Sequence, residues 1–182
     1  MNFPEIIKIS ADIKLELLSN SHKVKYFNSI HESTENDKYR KKLQERMPNL
    51  EQVEVMLDDA INSKLKETGS PDYFIIYEGQ IAGMFEFHPI DKGDYIEIGY
   101  WLFSKFRRRG ILSRTIPEMI KFTQEYFSKP KILATTPVDN IPSQALLNKM
   151  KFAKTGRILE FTDSKTGHIS QEFEYIYHLP TV

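Results

Sequence analysis

The chain has 182 residues, 25 lysines plus arginines balanced by 25 aspartates plus glutamates, and no cysteine. That length fits one domain around one core, and zero net charge gives no global attraction to nucleic acid or to an anionic membrane, so any anion site must be local. The lack of cysteine excludes disulfides, a thiolate nucleophile and cysteine-ligated zinc, and is compatible with the cytosol.

The opening MNFPEIIKISADIK has no basic leader before an apolar run, and no later run approaches bilayer-spanning length, so a soluble, unexported, cytoplasmic protein is expected. From Ile6 to Leu18 apolar and polar residues alternate, which predicts one strand or two short ones broken near Ala11 and Asp12. A helical region follows. Asn49 is placed to cap a long helix on which Leu50, Val53, Leu57, Ala60, Ile61 and Leu65 recur at helical spacing, ending near Gly69. DYFIIYEGQIAGMFEFHPI reads as two strands around a turn at Glu78 to Gln80, and a third strand is expected over Tyr95 to Leu102, giving an antiparallel meander. From Gly110 the period changes to that of a helix of four to five turns, in which Pro117 is tolerable only near the start. KILATTPV is a further strand. Asn140 is a candidate cap for a helix over Ile141 to Met150, and two last strands flank a polar turn at Asp163 to His168. Strands alternating with helices after a meander predict a mixed sheet with helices on both faces, in a single domain over residues 1–182.

The stretch EIGYWLFSKFRRRGIL, residues 97–112, sets three arginines and a glycine where a strand hands over to a helix. The first turn of a helix has amide N–H groups without intrahelical partners and the positive end of the helix dipole, so a phosphate there meets several donors at once. Glycine permits close approach, and the N–H groups of Arg109, Gly110, Ile111 and Leu112 can line such a cradle, with charge added by Arg107, Arg108 and Arg109. Three adjacent arginines cannot all face one ligand, however, and a solvated basic loop fits the spacing equally well. Neither the glycine-rich lysine loop of nucleotide triphosphatases nor the three-glycine dinucleotide fingerprint is present.

EIGYWL followed by Arg-x-x-Gly and, about thirty residues later, DNIPSQALLNKMKF resembles the acetyl-CoA-dependent N-acetyltransferases of the GNAT superfamily, with the RimJ/RimL type as the nearest branch. IKLELL and IYEGQIAGMFEF resemble that branch's first strand and central hairpin. The resemblance implies a central, mostly antiparallel sheet of about seven strands, splayed in the middle. It implies acetyl-CoA as acetyl donor and direct transfer to a primary amine, a protein N-terminus or a small molecule, with a homodimer possible. By the same resemblance Trp101, Leu102 and Phe103 offer backbone to the pantetheine arm like an added strand. Arg107 to Leu112 take the pyrophosphate, Asn140 contacts pantetheine, and Ser143 hydrogen-bonds the departing sulfur.

Two positions depart from the family. Leu112 stands where glycine or alanine is usual, and Lys151 where a glycine normally closes the helix, so closure comes either without a left-handed residue or at a strain cost. Leu147 replaces a tyrosine that many relatives use as general acid, which passes that role to Ser143. Glu97 is the candidate general base, its strand phase equally suiting a structural hydrogen-bond network; Glu86, His88 and Glu160 are lesser candidates, and no residues have metal-ligand spacing. Acceptor choice in the family falls to the loop between the first two helices and to the last hairpin; in the first of these Glu32, Glu35 and Asp37 can attract a cationic amine, a merely solvated loop being the alternative. The rival reading is a non-catalytic acyl-CoA-binding regulatory module; a nucleic-acid-binding domain is disfavoured by the charge balance.

Overall fold

A computed structural model of the protein describes residues 3–32, 38–62, 69–89, 93–162 and 169–180. Among these, eight strands run through one sheet in the order β1-β2-β3-β4-β5-β6-β8-β7, one strand more than expected. The extra strand comes from the first segment. It divides into β1 (Ile6–Lys8) and β2 (Ile13–Leu17), which pair antiparallel from Ile6↔Glu16 to Lys8↔Lys14, because the turn between them folds the alternating pattern back on itself. By its internal contacts the chain forms two compact units, Met1–Pro89 with Tyr100–Arg114, and Ile90–Gly99 with Thr115–Val182.

In the first unit β2 pairs with β3 (Asp72–Tyr77), and β3 with β4 (Gln80–Pro89), both antiparallel. The β3–β4 turn is the expected one: Glu78 and Gly79 take φ of 47° and 77°, the two positive values that a tight hairpin of matching twist requires. Helices α1 (Lys23–His31), α2 (Lys38–Arg46) and α3 (Leu50–Asp59) follow the first strands. Asn49 does cap α3, its side chain accepting from Gln52 N at 3.1 Å; the stretch leading to Gly69 falls at residues outside those described. Ile13, Leu15, Tyr26, Ile30, Val53, Leu57, Phe74 and Phe85 are buried here, with the Tyr26 and Phe74 rings 4.7 Å apart. At Gly83 of β4 a side chain is impossible: a Cβ there would lie 1.9 Å from the Trp101 carbonyl oxygen and 2.9 Å from Leu102 Cα. Backbone cannot move aside as a side chain can, so this glycine is what lets the chain at Trp101 and Leu102 lie against β4.

In the second unit the first residues of β5 (Tyr95–Leu102) pair in parallel with β6 (Lys131–Pro137), from Tyr95↔Lys131 to Glu97↔Leu133. β6 then pairs antiparallel with β8 (Ile169–His178), and β8 with β7 (Ala153–Thr162). Helix α4 (Ile111–Tyr126) holds Pro117 at its seventh residue rather than near its start, which removes one amide from the helix ladder. Thr115, Ile116, Met119, Phe122 and Thr123 are buried along one side of it. Helix α5 (Ile141–Lys149) is capped by Asn140, whose Oδ1 accepts from Ser143 N at 3.3 Å.

Lys151 closes α5 in the left-handed region, with φ of 65°, while Phe152 N–H donates to Leu147 O at 3.0 Å. The helix therefore stops the way a glycine-closed helix stops, at a backbone cost of about 1 kcal/mol for a residue carrying Cβ. Lys151→Gly is expected to raise stability by about 0.5 to 1 kcal/mol in urea denaturation; a loss of stability would show that the lysine side chain contributes more than its backbone costs.

Candidate active site

Each unit carries part of the residue set singled out by the sequence. In the first unit the loop from Phe103 to Gly110 carries a short 3-10 turn at Ser104–Phe106, with Phe103 N–H donating to Ala82 O at 2.9 Å. Phe103 is fully buried and its ring meets Trp101 edge-on at 5.0 Å, while the Arg40 guanidinium of α2, also buried, lies 4.6 Å over the Phe103 ring. The three arginines separate. Arg107 Nε donates to Leu102 O at 3.1 Å, Arg109 Nε donates to Lys105 O at 3.1 Å with its guanidinium over Tyr77, and Arg108 is exposed with φ of 62°. Two of the cations are thus tied to their own loop, and Arg108 has no hydrogen bond or ion pair among the described residues.

Gly110 follows with φ of 70° and open space where a Cβ would stand. The first amide of α4 paired along the helix is Arg114 N–H, on Gly110 O at 3.1 Å; the N–H groups of Gly110, Leu112 and Ser113 have no acceptor among the described residues. Arg114 also fastens this helix start, its Nη1 lying 2.7 Å and 3.0 Å from the two carboxylate oxygens of Asp12. The Arg114 hydrogen bond, helped by Ser10, holds the Asp12 carboxyl below the usual carboxylate range. A fixed loop, a left-handed glycine, three unpartnered amides and a solvent-facing guanidinium form an anion cradle, and they fit a phosphate group. Leu112 is half-buried, and its departure from the usual small residue leaves its N–H available.

In the second unit Glu97 is half-buried on β5, and Thr135 Oγ1 of β6 donates to its Oε1 at 3.2 Å. Burial raises the Glu97 carboxyl above its ordinary value; the Thr135 hydrogen bond works against that, and the nearby Glu172 and Glu174 carboxylates push it further up. Both of those glutamates lie on β8, and neither stands out in the sequence until β8 is aligned: Glu172 pairs with Pro137 and Glu174 with Thr135. The alternation in SQEFEY, which puts two acids on one face of a strand, is the signal that would have found them. Asn140 is exposed and Ser143 half-buried at the start of α5, so the asparagine has its expected capping role whatever else it does. Leu147 is fully buried, so a phenol in its place would sit in the core.

The remaining candidates are dispersed. Glu160 is exposed on β7 and accepts from Gln171 Nε2 at 3.0 Å; Glu86 and His88 are half-buried on β4 in the first unit. Glu32 is exposed at the end of α1, whereas Glu35 and Asp37 lie outside the described residues. Among the described residues no helix is long and apolar enough to cross a membrane.

The family comparison gives the class of protein: the acetyltransferase (GNAT) domain matches residues 13–153. The chain belongs to this family. It is 26% identical over 84 residues to the "Putative ribosomal N-acetyltransferase YdaF" of Bacillus subtilis (strain 168), a match that spans 46% of each chain, so less than half the length of that curated relative. Among solved structures, the microcin C7 self immunity acetyltransferase MccE, in complex with acetyl-CoA and AMP, superposes with a TM-score of 0.80 at 21% identity, covering 97% of this chain and 98% of its own. The ribosomal L7/L12 alpha-N-protein acetyltransferase RimL superposes with a TM-score of 0.77 at 22% identity, over 96% and 94% of the two chains. The Salmonella typhimurium acetyltransferase that modifies the N-terminal serine of ribosomal protein L7/L12 gives 0.77 at 21%, over 97% and 100%. At these identities the likeness is one of fold.

Because folding raises the proton affinity of Glu97, ionising it costs stability. Wild-type stability is full below the unfolded carboxylate value of about 4.3 and falls as pH rises through the higher folded value. Glu97→Gln escapes this while its amide oxygen still accepts from Thr135. It is expected to melt above the wild type at pH 7, and the gap should close below about pH 4; thermal melts that keep a constant gap across this range would contradict the assignment.

Proposed function

We propose that the chain is an acetyl-CoA-dependent N-acetyltransferase acting on a primary amine by direct attack, with residues 1–182 working as one domain. The observation that supports this reading is the set of amides at Gly110, Leu112 and Ser113, without an acceptor among the described residues and following a left-handed glycine, in a chain that belongs to the GNAT family. Acetyl-CoA supplies the activated acetyl group. Those amides, with those of Arg109 and Ile111 and the exposed Arg108, receive the pyrophosphate, while Arg107 and Arg109 add charge and hold the loop through Leu102 O and Lys105 O. The backbone of Trp101, Leu102 and Phe103 receives the pantetheine arm, a role supported by the short β5–β6 ladder. Asn140 orients the same arm, and the Ser143 hydroxyl hydrogen-bonds the sulfur as negative charge develops there.

Glu97 takes the proton from the amine. Its raised carboxyl is a better base near neutrality than an ordinary glutamate. A lysine-like amine of pKa about 10.4 costs roughly 4.6 kcal/mol to neutralise at pH 7, whereas an α-amine near 8 costs about 1.4 kcal/mol. A single half-exposed carboxylate suits the second task better, which supports a protein N-terminus as acceptor over a polyamine or side-chain amine. The names of the RimL and YdaF relatives point the same way. The protein is taken to be cytoplasmic, as a chain without cysteine suits a reducing compartment, and a homodimer remains part of this reading.

Acetyl-CoA at 100 times its Kd should add about 2.7 kcal/mol of stability, a rise of roughly 5 to 11 °C in Tm at this size. No rise would remove the coenzyme reading; a rise without thiol release on any amine or N-terminal peptide would leave a binding module in place of an enzyme. Ser143→Ala is expected to lower kcat about tenfold or more with little change in coenzyme affinity, in steady-state assays paired with calorimetric titration. Equal losses in both would reduce Ser143 to a binding contact.

A further inference from the structure

β7 contains an irregularity that neither its pairing nor the proposed transfer accounts for. Its register with β8 runs Ala153↔Ile176 and Lys154↔Tyr175, then resumes at Ile158↔Phe173. Thr155, Gly156 and Arg157 therefore stand opposite the single residue Glu174. Gly156 makes this possible with φ of 87°, a value that strains any residue bearing Cβ. A bulge of this kind re-aims side chains at the expense of ladder bonds. Here both flanking side chains turn onto one carboxylate: Thr155 Oγ1 donates to Glu174 Oε1 at 2.9 Å, and Arg157 Nη1 lies 3.2 Å from Glu174 Oε2. Thr155 Oγ1 is in turn the acceptor for Arg157 N–H at 3.2 Å, which locks the bulge to itself.

Glu174 is only 5% exposed, and a buried carboxylate needs such partners. Its position gives it a second consequence. Glu174 is the antiparallel partner of Thr135, so the two side chains rise from the same face of the sheet, and Thr135 Oγ1 is the group that donates to Glu97. Glu97, Thr135, Glu174 and the Thr155–Arg157 bulge thus form one transverse polar row across β5, β6, β8 and β7. The charged groups of this row acting on Glu97 are Glu172 and Glu174 of β8, with Arg157 of β7 balancing the latter.

We propose that Glu174, gripped by the bulge of β7, is a positioning residue that sets the protonation of Glu97 across Thr135, and that Arg157 limits how far it does so. The proposal rests on Glu97 as the base of the reaction. Like charge on β8 keeps the base carboxylate protonated to higher pH, which makes it a stronger base once free. Arg157 prevents the repulsion from growing until the base is blocked at neutrality. A bridge that served only to tie β7 to β8 would equally require Thr155 and Arg157 to meet Glu174, but it would leave the titration of Glu97 unmoved when the charge on Glu174 is removed.

The test reads Glu97 directly, by carbon-13 carboxyl NMR titration of the full chain, alongside the pH profile of kcat/KM. Glu174→Gln removes the charge while its amide can still meet the bulge, the oxygen accepting from Arg157 and the amide N–H donating to Thr155 Oγ1, and is expected to lower the Glu97 midpoint by about 0.5 to 1 pH unit. The exposed Arg157→Gln should raise it, and Arg157→Lys should restore it. The acid limb of the rate profile should move with each midpoint, and the plateau of Glu174→Gln should fall a few-fold as the base weakens. Midpoints unmoved in Glu174→Gln and Arg157→Gln would overturn the proposal. Midpoints that shift while the acid limb stays fixed would uphold the coupling and remove Glu97 as the base.

Discussion

A parallel ladder that stops after three residue pairs is the constraint on which the rest of this molecule depends. β5 is held to β6 only from Tyr95 to Glu97, while β6 continues to pair with β8 as far as Pro137. Beyond Glu97 the β5–β6 register does not continue among the described residues, and backbone groups that leave a ladder are satisfied elsewhere, by water, a ligand or another strand. Gly83 serves the same end from the other side, since its missing side chain lets the chain at Trp101 and Leu102 press onto β4 without a clash.

The anion cradle shows how few charges such a site needs. Of three consecutive arginines, two are spent on the carbonyls of Leu102 and Lys105, where they order the loop, and the third faces solvent. In the proposed site the attraction for a phosphate would come chiefly from amides in the opening turn of α4 that have no acceptor among the described residues, behind a left-handed glycine. A chain with no net charge needs no global field for the proposed coenzyme site, because a field made of backbone dipoles is local. The same economy appears at Glu97, whose basicity arises from burial and from its neighbours on β8 rather than from any unusual chemistry of its own.

Much of this was legible in the order of residues. The meander, the strand over Tyr95 to Leu102, the helix opening at Gly110 and the caps at Asn49 and Asn140 all follow from alternation, helical period and capping chemistry, which are local and survive without tertiary context. Pro117 stands further into α4 than the first turn to which proline was expected to be confined, because a helix held by a buried face tolerates a lost amide that propensity alone disfavours. The left-handed Lys151 has the same origin: packing of Leu147 and Phe152 at the helix end outweighs a modest backbone strain.

The sequence by itself determined the elements, the motif that bears the arginines and the family to which the chain belongs, because each is written in residues close together along the chain. Only the tertiary structure decided which arginine stays free, that the first segment makes two strands, and that Glu172 and Glu174 stand beside Glu97. Those outcomes depend on register between strands distant in sequence, where sliding by a single residue would reverse every side chain to the opposite face. No periodicity within one strand records which residue of another it will meet.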